Sequence, residues 1–133
     1  MMDWPRVGVG MLIVDGEKIL LARRKKAPEA NHWGILGGKL EKGEILKEAA
    51  IREAEEECGM RIGDAAFLVL SEQIDIDGQH WISAIFTARE MEGSASITEQ
   101  HAFSEMDWFG LDQLPAPLTV AAGDALRALK EGV

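Results

Sequence analysis

Residues 44–58, Glu-Ile-Leu-Lys-Glu-Ala-Ala-Ile-Arg-Glu-Ala-Glu-Glu-Glu-Cys, constrain this chain more than any other stretch. At ~100° per residue on a helical wheel, Leu46, Ala49 and Ala50 fall within about 100° of arc and form the apolar stripe of an amphipathic helix. One and two turns later, Glu53, Glu56 and Glu57 occupy that same arc at i, i+3, i+4, a spacing at which side chains converge. The face that should dock on other structure therefore ends in carboxylates. Each like-charged pair costs roughly a few tenths of a kcal/mol even when exposed, and the helix macrodipole disfavours negative charge toward the C-terminus. A chain shaped for stability alone would keep these groups elsewhere. Two readings stand: a solvated acidic stripe with Arg52 and nearby lysines as partners, or a site for a hard divalent cation. Magnesium takes oxygen ligands and leaves room for substrate phosphates.

The flanking elements follow from shorter signals. Apolar runs at 7–14 and 18–24 enclose Asp15-Gly16-Glu17, a hairpin signal because Gly accepts the positive φ of a tight turn. Residues 66–76 and 80–88 enclose Asp77-Gly78 in the same way. Between the first hairpin and the helix, 25–43 reads as a loop rich in Gly, Lys and Glu, and Gly59 suits the left-handed cap that stops the helix. A short strand is expected at 105–109, and a closing helix at 119–131 after Pro115 and Pro117. The order β-β-α-β-β-β-α predicts a mixed sheet covered by helices, an α/β sandwich in one domain over 1–133.

Charge narrows the function. Lys+Arg 14 against Asp+Glu 23 gives a formal net charge of -9, which argues against broad nucleic-acid binding. If the ligand carries phosphate, something cationic must mediate the contact. A single cysteine excludes an internal disulfide framework and a Cys-rich zinc site, and fits a reducing, cytoplasmic setting. The apolar run Val9–Val14 is far short of the ~20 residues that span a bilayer. The opening Met1-Met2-Asp3-Trp4-Pro5-Arg6 shows no basic region followed by an apolar core, so neither membrane nor secretion is expected.

Gly38, five residues, Glu44, seven residues, then Arg52-Glu53-Ala54-Glu55-Glu56-Glu57-Cys58-Gly59-Met60 resembles the Nudix box, G-x5-E-x7-R-E-U-x-E-E-x-G-U. Gly38, Glu44, Arg52, Glu53, Glu56, Glu57 and Gly59 match its fixed positions. Met60 suits the last bulky position, and Ala54 is small for the first. The lead-in Trp33–Glu41 looks like the family's loop before the box, with Leu36 where many members have Pro, and Trp108–Pro115 looks like its late segment. The resemblance implies a Nudix-type α/β/α sandwich that hydrolyses a nucleoside diphosphate linked to another moiety, using Mg²⁺ or alternatively Mn²⁺. By motif position Glu53, Glu56, Glu57 and the Gly37 carbonyl would hold metal, and Arg52 and Glu44 would orient the helix and its loop. Glu56 ranks first as general base, with Glu99, Glu105 and Asp107 as alternatives from the late segment.

Substrate contacts are expected from Gly37, Gly38 and Lys39 on the loop and from Arg23, which leads the basic run Arg23-Arg24-Lys25-Lys26. Trp33 either stacks on a base or packs beneath the loop. Trp81, Ile82, Ile85 and Phe86 mix both strand faces and suit a pocket wall or a homodimer surface. His32, His80 and His101 share no metal-ligand spacing, and Cys58 reads as a small buried residue. The chain has no Tyr, often present downstream of the box in dinucleoside-polyphosphate members, and its first Pro after the box is Pro115, whereas ADP-ribose members often carry one roughly 15 residues after it. It looks most like MutT-type enzymes that convert an NTP or dNTP to NMP and pyrophosphate. No Asn follows Pro115 to read an oxidised guanine as in the mutation-avoidance members. ADP-ribose or nucleoside diphosphate-sugar hydrolysis is the alternative within the class, and a non-catalytic nucleotide sensor the alternative outside it.

Overall fold

The structure, a computed structural model, describes residues 4–132. The first three residues of the N-terminal segment read above for a secretion signal lie outside the described residues. In chain order the elements are β1 (Arg6–Asp15), β2 (Lys18–Arg24), β3 (Trp33–Gly34), β4 (Leu36–Lys39), α1 (Leu46–Cys58), β5 (Arg61–Ile76), β6 (Gln79–Glu92), β7 (Phe103–Gly110) and α2 (Val120–Lys130).

Strand β1 is the hinge of the seven-stranded sheet. It runs parallel to β6 from Arg6↔Trp81 to Ile13↔Ala88, and antiparallel to β4 from Gly8↔Lys39 to Met11↔Leu36. Its last residues turn antiparallel to β2, whose other partners are β3 and β7. The sheet is therefore mixed, as expected. Side chains alternate across it. Val9, Met11 and Ile13 share one face with Leu20, Ala22, Leu36 and Phe86, and this face packs on Ala49, Ala50, Ala54 and Cys58 of α1. Leu12, Val14, Ile19, Leu21 and Ile85 share the other face, covered by Ala125, Leu126 and Ala128 of α2. A helix on each face of the sheet makes an α/β/α sandwich.

Helix α1 begins at Leu46 without a side-chain cap and stops at Gly59, whose φ of 77° is the left-handed cap expected of it. Helix α2 starts from Thr119, whose side chain accepts from the Ala122 N–H at 3.1 Å. Three features differ from the sequence expectation. The loop at 25–43 contains β3 and β4, β5 starts at Arg61 rather than 66, and β6 runs on to Glu92. Among the described residues, no helix is long and apolar enough to cross a membrane.

Candidate active site on the inner face of α1

The buried stripe of α1 begins with Ala49 and Ala50 and ends in Glu57 and Cys58, with Glu57 only 6% exposed. Glu57 Oε1 accepts from the Gly37 N–H of β4 at 2.9 Å. Burial pushes its carboxyl pKa up to about 8; the charges of Glu53 and Glu99 add to the effect, while the Gly37 N–H and the Arg24 charge oppose it. Glu53 sits one turn earlier over the other glycine of the pair. A Cβ on Gly38 would lie 2.4 Å from the Glu53 carboxylate, and one on Gly37 would lie 2.2 Å from the Val9 carbonyl oxygen. Only glycines let β4 lie this close to β1 and to the helix carboxylates at once. Burial also raises the Glu53 pKa, with Arg52 opposing and Glu56 and Glu99 reinforcing.

Arg52 organises the outer edge of the group. Its Nε and Nη2 hold Glu44 bidentately at 2.7 and 2.9 Å. Its Nη1 donates to Glu53 and to Glu56, both at 3.2 Å. Arg52 is the main reason the Glu44 pKa is lowered, and the Glu41 N–H assists. Glu56 is the open member, its side chain 51% exposed. Among the described residues no three His, Cys, Asp or Glu side chains are already gathered as a metal cage, and Arg52 Nη1 bridges two of the three carboxylates. The donor set still suits a hard divalent cation. It offers several carboxylate oxygens, one of them buried and resisting ionisation for want of a counter-charge, beside backbone cleared of Cβ atoms.

The basic run divides by strand parity. Leu20 and Ala22 of β2 face α1, so Arg24 does too, and the Arg24 charge is felt at Glu57. Its Nε donates to the Pro28 carbonyl at 2.7 Å, and among the described residues its terminal nitrogens are left for a ligand. Arg23 points to the α2 side, where it pairs with Glu105 at 3.0 Å and lies over Trp33 with its Cζ 6.0 Å from the ring centroid. Trp33 packs edge-on against Phe109, with ring centroids 5.0 Å apart, and is 8% exposed. The structure thus brings Arg24, and not Arg23, to the carboxylates, and it uses Trp33 in the core. Counting parity from Leu20 in the sequence would have found Arg24.

The same logic separates the late acids. Glu105 and Asp107 pair with Arg23 and Leu21, and so lie on the face away from α1. Residues 93–102 instead fold back over the last turn of α1. Ser96 N–H bonds the Cys58 carbonyl at 2.9 Å, and the Thr98 hydroxyl bonds the Glu56 carbonyl. These contacts take up carbonyls that a helix C-terminus leaves unpaired. They also bring Glu99 close enough to act electrostatically on both Glu53 and Glu57.

A cavity of about 230 Å³ opens beside this group. Its walls include Arg24, Gly37, Gly38 and the exposed Lys39. They also include Gln73, Trp81 and Ser83 from β5 and β6, and Thr119 at the start of α2. Of these, Gln73, Ser83 and Thr119 carry no local sequence signal for a site.

Comparison with known proteins agrees with this geometry. Residues 4–129 match the family model described as the NUDIX domain. A MutT NUDIX hydrolase from Burkholderia pseudomallei, known from its crystal structure, superposes with a TM-score of 0.92 at 40% identity, over 96% of this chain and 99% of that one. The oxidized purine nucleoside triphosphate hydrolase of Mus musculus is 28% identical over 122 residues, 86% of this chain and 72% of that protein. The ADP-ribose pyrophosphatase of Methanocaldococcus jannaschii is 32% identical over 112 residues, 84% of this chain and 65% of its own length. With the motif, the sandwich and the match over nearly all described residues in agreement, the chain belongs to the Nudix hydrolase family.

Proposed function

We propose that the protein hydrolyses a nucleoside triphosphate, ribo or deoxy, to the monophosphate and pyrophosphate with Mg²⁺, or Mn²⁺ in its place. The observation that carries this reading is buried Glu57, grouped with Glu53 and Glu56 and held by the N–H of Gly37, a residue that together with Arg24 also lines the adjoining cavity. Nudix hydrolases generally use divalent cations, and Glu53, Glu56, Glu57 and the Gly37 carbonyl are the groups that would hold one here. When bound, such an ion screens phosphate charge and makes a water more acidic. The chain's own residues do the rest. Arg52, anchored on Glu44, keeps Glu53 and Glu56 aimed at the patch. Arg24 offers its free guanidinium nitrogens to phosphate oxygens. Glu56, the most open carboxylate, takes the proton of the attacking water, and Glu99 is the second candidate. Water oxygen bonds to the β-phosphorus, the bond from that phosphorus to the α–β bridging oxygen breaks, and the monophosphate leaves. The setting is the cytoplasm, where the free Cys58 thiol stays reduced, and 1–133 acts as one domain.

The test is a panel of canonical and oxidised triphosphates together with ADP-ribose, assayed with Mg²⁺ in ¹⁸O-water. The expected result is monophosphate plus labelled pyrophosphate. Label in the monophosphate would mean attack at the α-phosphorus. Cleavage of ADP-ribose with every triphosphate ignored would overturn the substrate assignment, and binding with no products over hours would make the chain a sensor.

A further inference from the structure

The cavity beside the catalytic group has one wall that the hydrolytic reading does not use. On the α2 face of β1, Gly8 and Gly10 supply no side chains to that wall, and Ser83 and Ile35 close in over them instead. The same cavity is lined by Gln73, 9% exposed and part of a hydrogen-bonded chain that runs out to helix α2. The Ser71 hydroxyl donates to Asp124 Oδ2 at 2.7 Å, Gln73 Nε2 donates to Ser71 Oγ at 2.7 Å, and the Ser83 hydroxyl donates to Gln73 Oε1 at 3.2 Å.

Chemistry alone fixes the direction of this chain. A carboxylate only accepts, so Ser71 must give its one proton to Asp124 and can only accept from Gln73. The Gln73 amide must therefore turn its nitrogen to Ser71 and its oxygen to Ser83. Arg127 pairs with the other Asp124 oxygen. Among the described residues, Gln73 spends one N–H and one lone pair in this way. One N–H and one lone pair remain, on a nearly buried amide in the cavity wall. A buried amide locked at both ends cannot turn over to suit whatever arrives, so it selects. At about 230 Å³ the cavity is below the ~300–1,000 Å³ of whole-ligand sites, so it holds one ring with the charged part outside, toward Gly37, Gly38 and Arg24.

We propose that Gln73 reads the nucleobase of the substrate, with Asp124 as the positioning residue that sets which way the amide faces. The proposal rests on the ligand being a nucleotide, but not on which phosphate bond is broken. A free donor and acceptor on one amide match the paired donor and acceptor on a base edge, as when Gln meets adenine. Trp81 completes the wall, its ring carrying the Arg6 guanidinium at 5.6 Å.

The test measures binding of AMP, GMP, CMP, UMP and ribose 5-phosphate to the whole protein by calorimetry. Wild type should rank the four monophosphates unequally and bind the best at least tenfold tighter than ribose 5-phosphate. Gln73→Met, similar in volume, should lose about tenfold on the best base and flatten the ranking, while ribose 5-phosphate is unchanged. Asp124→Asn, which can donate as well as accept, should also flatten the ranking, and Asp124→Glu should restore it. Ser83→Ala should reduce the same preference with a milder effect on the fold. Wild-type ranking and affinity in Gln73→Met, or in Ser83→Ala if Gln73→Met does not fold, would overturn the proposal, as would a wild type that binds no monophosphate better than ribose 5-phosphate. Cleavage of ADP-ribose instead of triphosphates would end the triphosphate reading and leave this one standing.

Discussion

Replacing Glu57 by Gln isolates the electrostatic conflict at the centre of the site. In the metal-free protein, burial is the main reason the Glu57 pKa rises from 4.5 to about 8. A carboxyl whose folded pKa is raised leaves stability intact below its unfolded pKa and removes it as pH climbs through the folded one. The loss therefore develops between about pH 4.5 and pH 8. At about 1.4 kcal/mol per pH unit it approaches 5 kcal/mol, a large share of the ~5–15 kcal/mol that holds a typical domain together. Gln removes the charge and keeps a carbonyl oxygen for the Gly37 N–H, now held at 2.9 Å. Thermal unfolding in EDTA should therefore show wild type and Glu57→Gln melting together near pH 5. At pH 8.5 the variant should melt higher by about 10 °C or more, at roughly 3–4 °C per kcal/mol for a chain of this length. Adding Mg²⁺ at pH 8.5 should close most of the gap by stabilising wild type, while the variant loses about 100-fold or more in activity. Parallel melting curves across the pH range, or a variant less stable at every pH, would refute the reasoning.

EDTA should abolish hydrolysis and added Mg²⁺ should restore it; full turnover in EDTA sinks the proposed chemistry. Arg24→Ala should lower kcat/KM by about 10–100-fold through the lost charged hydrogen bonds to phosphate, while Arg23→Ala changes it less than threefold; the reverse order would place the phosphates on the wrong face of β2. Among the late acids, Glu99→Gln should lower the rate and shift its pH profile, and Glu105→Gln and Asp107→Asn should leave both nearly unchanged, as steady-state rates between pH 6 and 9 will show.

What could be read from the sequence was what local periodicity writes. Helix α1 and the convergence of Glu53, Glu56 and Glu57 follow from a 3.6-residue repeat inside one segment, and both hairpins follow from Asp-Gly between apolar runs. Strands β3 and β4 leave no such mark. They have two and four residues, include three glycines, and owe their extended form to pairing with β2 and β1 across the chain. The start of β5 was missed for another reason. Its register against β6 shifts between Ile62 and Asp64, between Asp64 and Ala66, and between Phe67 and Val69, so buried positions recur at Ile62, Ala65 and Leu68 rather than at every second residue. For the two arginines at the end of β2, the parity of Leu20 and Ala22 puts Arg24 on the α1 side and Arg23 on the other. The same count puts the acids at 105 and 107 on the face away from α1. Gln73, Ser83 and Thr119 were out of reach altogether, since only the folded sheet brings them to one cavity.

The charge balance explains why so many of the site's parts are committed to one another. A chain of net charge -9 must accept a polyanion, and the two arginines nearest the carboxylates are unequally free. Arg52 is spent on Glu44, Glu53 and Glu56, and its bond to Glu44 pushes its own pKa further up, so it stays charged and stays bound. Among the described residues, the Arg24 guanidinium commits only its Nε. One partly free guanidinium cannot offset Glu53, Glu56 and Glu57 together with the phosphates of a substrate. The fold in fact makes the deficit worse by burying Glu57, so that its ionised form waits for positive charge from outside. Under the proposed function a divalent cation would supply that charge, and a substrate already carrying one would supply it on arrival. Affinity for the nucleotide and for the metal should therefore rise together, each raising the other by the same factor, as linkage requires of two ligands that share one charge deficit.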